Sequence, residues 1–471
     1  MIRPVGIHRH MHDSLLRAFY LQNPSQKKIS KKFLYGKLLP VSSVTKFTSH
    51  HPFGWSDGAL MPANGLQQLF NVGYYAKAGP LSMQVSPEII WAANKTYERS
   101  DYYGAANPTK NYALFLPGQS FLKLEQGAFG LGVSTENIWW GPGHFSSLIM
   151  SNNAPGNFHA SFHTARPAKT PIGKFEWQLI GGVLKDEPRQ SDEIYGLKTF
   201  NDIFGVFEVN RKYLNAFSIV YQPSFLKNLS IGASRAFIGN ISNVDSLSAN
   251  DNKVRAFMPV FDKLFKSKLV NEDQRGWNQL ISLSVKLSFP KAHAELYTEY
   301  GWNDHKANLR DLLMAPTHSA AYLVGAKKIV PLEKDRSLEL IAEINQMEQS
   351  PDYLVRTAGN WYIHWFKTNY SNYGQVLGSG IGFGNNALNF SAMLRDRQNS
   401  IGVLFHKIQQ DPNTKAVRWS DYAWGLQGRI GVPHFLFSYK LYGISSVNYA
   451  WMQDENRFNF VGTVGVSYLL K

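Results

Sequence analysis

Residues 281–289 read ISLSVKLSF: Ile281, Leu283, Val285, Leu287 and Phe289 alternate with Ser282, Ser284, Lys286 and Ser288. Successive side chains of an extended chain point to opposite faces, so this stretch has one apolar side and one polar side. A helix would scatter the same apolar residues around its axis. The pattern is that of a strand between two unlike environments.

The same period recurs on either side. Upstream, Leu81, Met83, Val85, Pro87 and Ile89 alternate with Ser82, Gln84, Ser86 and Glu88, and Phe175, Trp177 and Leu179 oppose Lys174, Glu176 and Gln178. Downstream, Leu338, Leu340, Ala342 and Ile344 oppose Ser337, Glu339, Glu343 and Asn345. Phe435, Phe437, Tyr439 and Leu441 follow, then Phe458, Phe460, Val464, Val466 and Tyr468. Many segments run about 10–14 residues, longer than the ~5–6 of a soluble strand, and a tilted strand needs about 9–11 to cross a membrane. Between Leu66 and Leu470 there are roughly 18 such segments, an even number suited to a closed antiparallel transmembrane barrel. The fold class expected is all-β.

Composition supports that reading. The 471 residues are 14% aromatic but only 18% charged, where an average soluble domain carries about 25% charged residues. Mean hydropathy is nevertheless −0.27. Apolar side chains facing lipid and polar ones facing a lumen reconcile these values. No apolar run reaches the ~18 residues of a transmembrane helix.

Two segments depart from the alternation. Residues 1–50 are expected to form an N-terminal helical, periplasmic part, with Asp13 or Ser14 capping a helix that carries Leu15, Leu16, Phe19 and Tyr20; residues 51–471 would be the barrel. Residues 1–20 lack the apolar core of about 7–15 residues that marks a secretory signal, so no export signal is read there. Residues 252–270 (NKVRAFMPVFDKLFKSKLV) set Val254, Phe257, Phe261, Leu264 and Phe265 at helical spacing. They predict a helical insertion at the lumen or its mouth, because the segment joins two strands; a helix on the lipid surface is the alternative.

The chemistry excludes several classes. There is no cysteine, hence no disulfide framework or thiolate metal site. His8, His10 and His12 alternate near the chain start and are read as solvated, so neither metal nor cofactor is expected. The formal charge of +15 favours an acidic polymer. No P-loop, zinc pattern or helix-turn-helix points to nucleic acid. Residues 232–236 (GASRA) lack the second glycine of a nucleophile elbow and no H-E-x-x-H occurs. Asp186/Glu187 and Asp192/Glu193 read as solvated loop, and no enzyme is expected.

The loops carry the better signal. Residues 134–156 (STENIWWGPGHFSSLIMSNNAPG) set Trp139 and Trp140 against Gly141-Pro142-Gly143, followed by His144 and, later, Asn152 and Asn153. The tryptophans either stack a flat ligand or pack a tight turn. Trp302, Asn303 and Arg310, then Tyr353, Arg356 and Trp361, form two further groups of aromatic, amide and guanidinium side chains. Sugars are held by such sets, rings against C–H faces and polar groups against hydroxyls.

The stretches GWSDGALMPANGLQ (54–67), WWGPGHFSSLIMSNNAPG (139–156), YGWNDHKANLRDLL (300–313), HSAAYLVGAKK (318–328) and EQSPDYLVRTAGNWYIH (348–364) resemble the capsule assembly Wzi family in its Bacteroidetes-type form. The likeness spans nearly the whole chain from about Asp13. It implies an outer-membrane barrel with a small helical N-terminal part that binds or organises capsular polysaccharide or exopolysaccharide, lectin-like and without catalytic residues. The expected partners are an acidic polysaccharide and outer-membrane lipid, and the expected state is a monomer. A porin-like channel for small or anionic solutes is the competing function, since a barrel of roughly 18 strands is wide enough for an aqueous lumen.

Overall fold

The computed structural model describes residues 1–4, 34–97, 111–185, 211–242, 257–264, 277–303, 313–333, 336–350, 361–362, 369–396, 399–413 and 415–470. Neighbouring strands pair antiparallel and the sheet closes as a barrel. Asn278–Phe289, the strand containing the opening stretch, pairs with Leu229–Asn240 on one side and Ala294–Asn303 on the other. Its two faces separate as the alternation requires: Leu283 is 49% exposed, whereas Ser284 is 7% exposed. Exposed apolar side chains recur around the wall, from Leu34 and Phe115 through Leu131 and Val324 to Trp424 and Phe458. This belt faces lipid.

The two ends differ. One has tight turns, such as 79–80, 127–128 and 433–434, between strands bounded at Ala78/Leu81, Gln126/Phe129 and Val432/Phe435. The other has long connections, among them 49–64, 135–157 and 347–385.

Several expectations need correction. The alternation over 81–89 is not one regular strand: Leu81–Val85 and Glu88–Ala92 are separate elements. Pro87 has no N–H for the ladder, and Asn71 Nδ2 spans the break by donating to Ser86 O (3.2 Å) and Pro87 O (2.7 Å). Leu34–Leu38 and Val41–Thr48 fall within the proposed N-terminal helical part, yet both are wall strands. The first pairs with Tyr74–Ala78; the second pairs with Arg457–Tyr468 and Gly65–Asn71. The helix proposed at Asp13 or Ser14 lies outside the described residues.

The insertion over 252–270 is described only at 257–264, where Pro259–Leu264 is a 3₁₀ helix. It is not in the lumen. In register with lipid-facing Leu283, the outward side chains of the neighbouring strands include Asn215, Arg235, Phe237 and Gln279. Val260 packs on Phe237 and Trp277. Val260 N–H donates to Asn215 Oδ1 at 3.2 Å, and Arg235 Nη1 donates to Val260 O at 3.2 Å. The segment covers polar groups on the outer wall, giving Asn215 Oδ1 a donor and Arg235 a further acceptor away from hydrocarbon.

Candidate functional site

The long connections fold back into the barrel. Ile138–Trp140 pairs with Ile2–Pro4, and Trp140 N–H donates to Met150 O at 3.0 Å. Gly141 has φ +124°, and a Cβ there would lie 2.9 Å from Glu299 Oε2, so the turn requires glycine. Beyond it the backbone is held by two buried wall carboxylates. Glu343 accepts from His144 N–H (2.7 Å), Ser146 N–H (3.0 Å), Phe145 N–H (3.2 Å) and Tyr297 Oη–H (2.9 Å). Glu299 accepts from Leu148 N–H at 3.1 Å. A carboxylate taking several N–H donors is the satisfied way to bury that charge.

The loops then make a common core inside the wall. Phe53, Trp55, Leu148, Ile149, Met150, Trp361, Tyr362, Tyr370, Val376 and Ile381 pack with inward wall residues such as Ile180, Leu214, Ala321, Leu404 and Ile444. Tyr362 Oη–H donates to Leu148 O (2.8 Å) and accepts from Ser379 N–H (2.8 Å). Burial raises the Tyr362 hydroxyl well above its ordinary range, so it is the neutral donor that this pairing requires.

The sequence-derived candidates separate accordingly. Trp139 and Trp140 are 2% and 0% exposed, and Trp140 Nε1–H donates to Gln178 Oε1 at 2.9 Å; both are anchors. Trp361 is equally buried and donates to Ser319 O at 3.0 Å. Asn152 and Asn153 tie two loops together: Asn152 Nδ2 donates to Ser56 O (3.0 Å), and Asn153 links Ser56 N–H to Val376 O. His144 is half-buried with its ring against Tyr297. Trp302 lies on the outward face beside Tyr300, and Asn303 is buried. Arg310, Tyr353 and Arg356 lie outside the described residues.

Where the loops meet they leave a small open cleft. Phe53, Trp55, Phe383, Asn153, Gln375 and Gln410 are among its lining residues, none of which is charged. Trp55 Nε1–H donates to Phe145 O at 3.1 Å, fixing that ring at the cleft wall. Asn385 Nδ2 donates to Gln410 Oε1 at 2.6 Å. The aromatic-plus-amide lining is the chemistry sought in the sequence, but of the described candidates only Asn153 contributes to it. The run GQVLGSGIGFG (374–384), not among the candidate stretches, supplies one side of the cleft. Its glycines let the chain pass tightly: a Cβ at Gly378 would meet Tyr362 Oη at 2.6 Å, and one at Gly380 would meet Asn153.

The sequence matches the family of the capsule assembly protein Wzi over residues 63–420. This chain belongs to that family. The Wzi match and the barrel's lipid-facing belt make it an outer-membrane β-barrel protein of capsule assembly. Among solved structures it is similar to Escherichia coli Wzi, described as an outer-membrane carbohydrate-binding β-barrel involved in group 1 capsule assembly. The TM-score is 0.62 at 12% identity, covering 97% of this chain and 88% of that one. Pseudomonas aeruginosa OccK2 matches at a TM-score of 0.45 and 8% identity, covering 92% of this chain and 97% of that one. Among curated proteins no match to the sequence is found.

Proposed function

We propose that this Wzi-family barrel holds capsular polysaccharide or exopolysaccharide at the cell surface as a non-enzymatic, lectin-like anchor, with the cleft at the long-loop end as its sugar contact. The observation that carries this reading is the uncharged cleft of Phe53, Trp55, Phe383, Gln375 and Gln410 set on a filled lumen. Rings supply faces for sugar C–H groups and amides supply hydroxyl partners. Short turns face the periplasm and long loops the exterior in bacterial barrels, which directs the cleft outward. The packing of Leu148, Trp361, Tyr362 and Ile381 across the interior argues against the channel alternative.

The kinked strands, each counted as one crossing, give about 18 crossings, a size common to outer-membrane barrels. A single chain surrounded by lipid would be the working unit. The charge of +15 favours an acidic polymer overall, although the cleft lining supplies no cation for it. The test is capsule retention on cells carrying Phe383→Ala, Gln375→Ala or the two changes together. Reduced retention with normal heat-modifiable gel mobility supports the reading; full retention in the double variant overturns it.

A further inference from the structure

Inside the barrel, toward the tight turns, the wall gathers cations that it does not neutralise. Arg336–Gln346, Asn386–Asp396, Asn399–Gln410 and Trp419–Val432 are consecutive neighbours. Register places Arg395 opposite Ser400 and Ser400 opposite Arg429. All three share the inward face with Glu339. The two arginines therefore rise from one level of the wall with a single strand between them, roughly 10 Å apart at Cα.

Glu339 pairs with Arg395 Nη2 at 2.5 Å and with Lys327 Nζ at 2.9 Å. Arg395 is 8% exposed, yet its Nε and Nη1 are buried with no hydrogen-bond partner among the described residues. Arg429 lies within electrostatic reach of Arg395 and Glu339, and its guanidinium makes no hydrogen bond or ion pair among the described residues. Three cations thus converge on one carboxylate. A guanidinium withdrawn from water is stable only when its charge and its donors are met.

The geometry points to an oxyanion-binding site formed by Arg395, Arg429 and Lys327, for a ligand carrying a carboxylate or phosphate group. Planar guanidinium forks match both oxyanions bidentately, and Lys327 adds a point charge beside them. The site lies in the short-turn half of the lumen, apart from the uncharged cleft, and does not depend on saccharide binding there. It places the anion selectivity suggested by the net charge inside the barrel and leaves the cleft to uncharged sugar surface.

Calorimetric titration of the full chain in detergent at low ionic strength tests this, using inorganic phosphate, glucuronate and, as an uncharged control, glucose. At least one anion should bind and glucose should not, and affinity should weaken as salt is added. Arg429→Gln removes a guanidinium that bonds to none of the described residues, so the barrel should fold as judged by heat-modifiable mobility, while anion affinity drops about tenfold or more. Arg395→Lys should weaken binding while keeping the charge. Phe383→Ala, at the cleft, should leave anion binding unchanged. The tighter of the two anions tells whether the natural ligand presents phosphate or a sugar carboxylate. Failure of both anions to bind, or wild-type affinity in Arg429→Gln, overturns the site.

Discussion

The strand Arg336–Gln346 carries two inward glutamates with opposite fates. Glu343, toward the long loops, is surrounded by backbone N–H groups of residues 144–146. Glu339, two repeats of the pleat nearer the tight turns, is met by Arg395 and Lys327 from the wall. The residues are the same type on the same face of one strand, so local sequence does not separate them. The difference lies in what reaches each level of the lumen. Long connections fold back to fill one half with Phe53, Trp55, Leu148 and Trp361; the described tight turns are too short to do so, and the other half is left to charged wall side chains. The first half is a packed core whose charge is consumed internally. The second carries an excess of cations on its wall.

The strongest challenge to this contrast is Trp139→Ala with Trp140→Ala. Full burial predicts a loss of about 3–5 kcal/mol for each large-to-small change. Unfolding in lipid would show a large drop and poor insertion, whereas a stable barrel with reduced polysaccharide retention would mean that the pair is a ligand platform.

Glu343→Ala should cost about 3–5 kcal/mol, because buried N–H donors lose their acceptor. Limited proteolysis should open the chain near 144–148. Glu339→Ala should behave differently, loosening no loop, and cleavage at the same place in both variants would erase the distinction between the two halves.

The wall itself is tested by Leu283→Arg against Ser284→Arg. Toward mid-membrane the first should cost about 2–4 kcal/mol and the second clearly less, measured by refolding into lipid. Equal costs would deny the two-faced strand.

The smallest effect concerns acid. His51, in the loop 49–64, has its pKa pushed from 6.5 down to about 3 by burial, with His50 adding to the shift. The unfolded chain therefore binds more protons than the folded one between those values, and stability rises with pH across that window. The denaturation midpoint should fall as pH is lowered below about 6.5, and His51→Gln should flatten part of that slope. An unchanged slope would show that the loop is not held by a neutral His51.

Legibility followed the range of the interactions. Alternation at 281–289 and 337–345 specified strands and their two faces, because side-chain direction in a strand is a nearest-neighbour property. The break at Ser86–Pro87 was visible in the missing N–H of proline but not in the hydrophobic pattern. The outer-wall position of Pro259–Leu264 was not legible: an amphipathic segment states that it has an apolar face, not which surface receives it. The cleft was missed for a related reason. Phe53 and Trp55 come from one connection and Gln375 and Phe383 from another far along the chain, and only Trp55 stands in one of the family-like stretches.

The sequence by itself determined an antiparallel wall with an apolar exterior, a polar interior and a net positive charge, because these follow from period, composition and count. It also carried the family, through 139–156 and its companion stretches. Only the tertiary structure decided that Trp139 and Trp140 are buried anchors, that Glu343 holds a loop while Glu339 faces cations, and that Arg395 and Arg429 share one level of the lumen. Those outcomes depend on register and on which long connections fold inward, and both are set by the closure of the whole barrel.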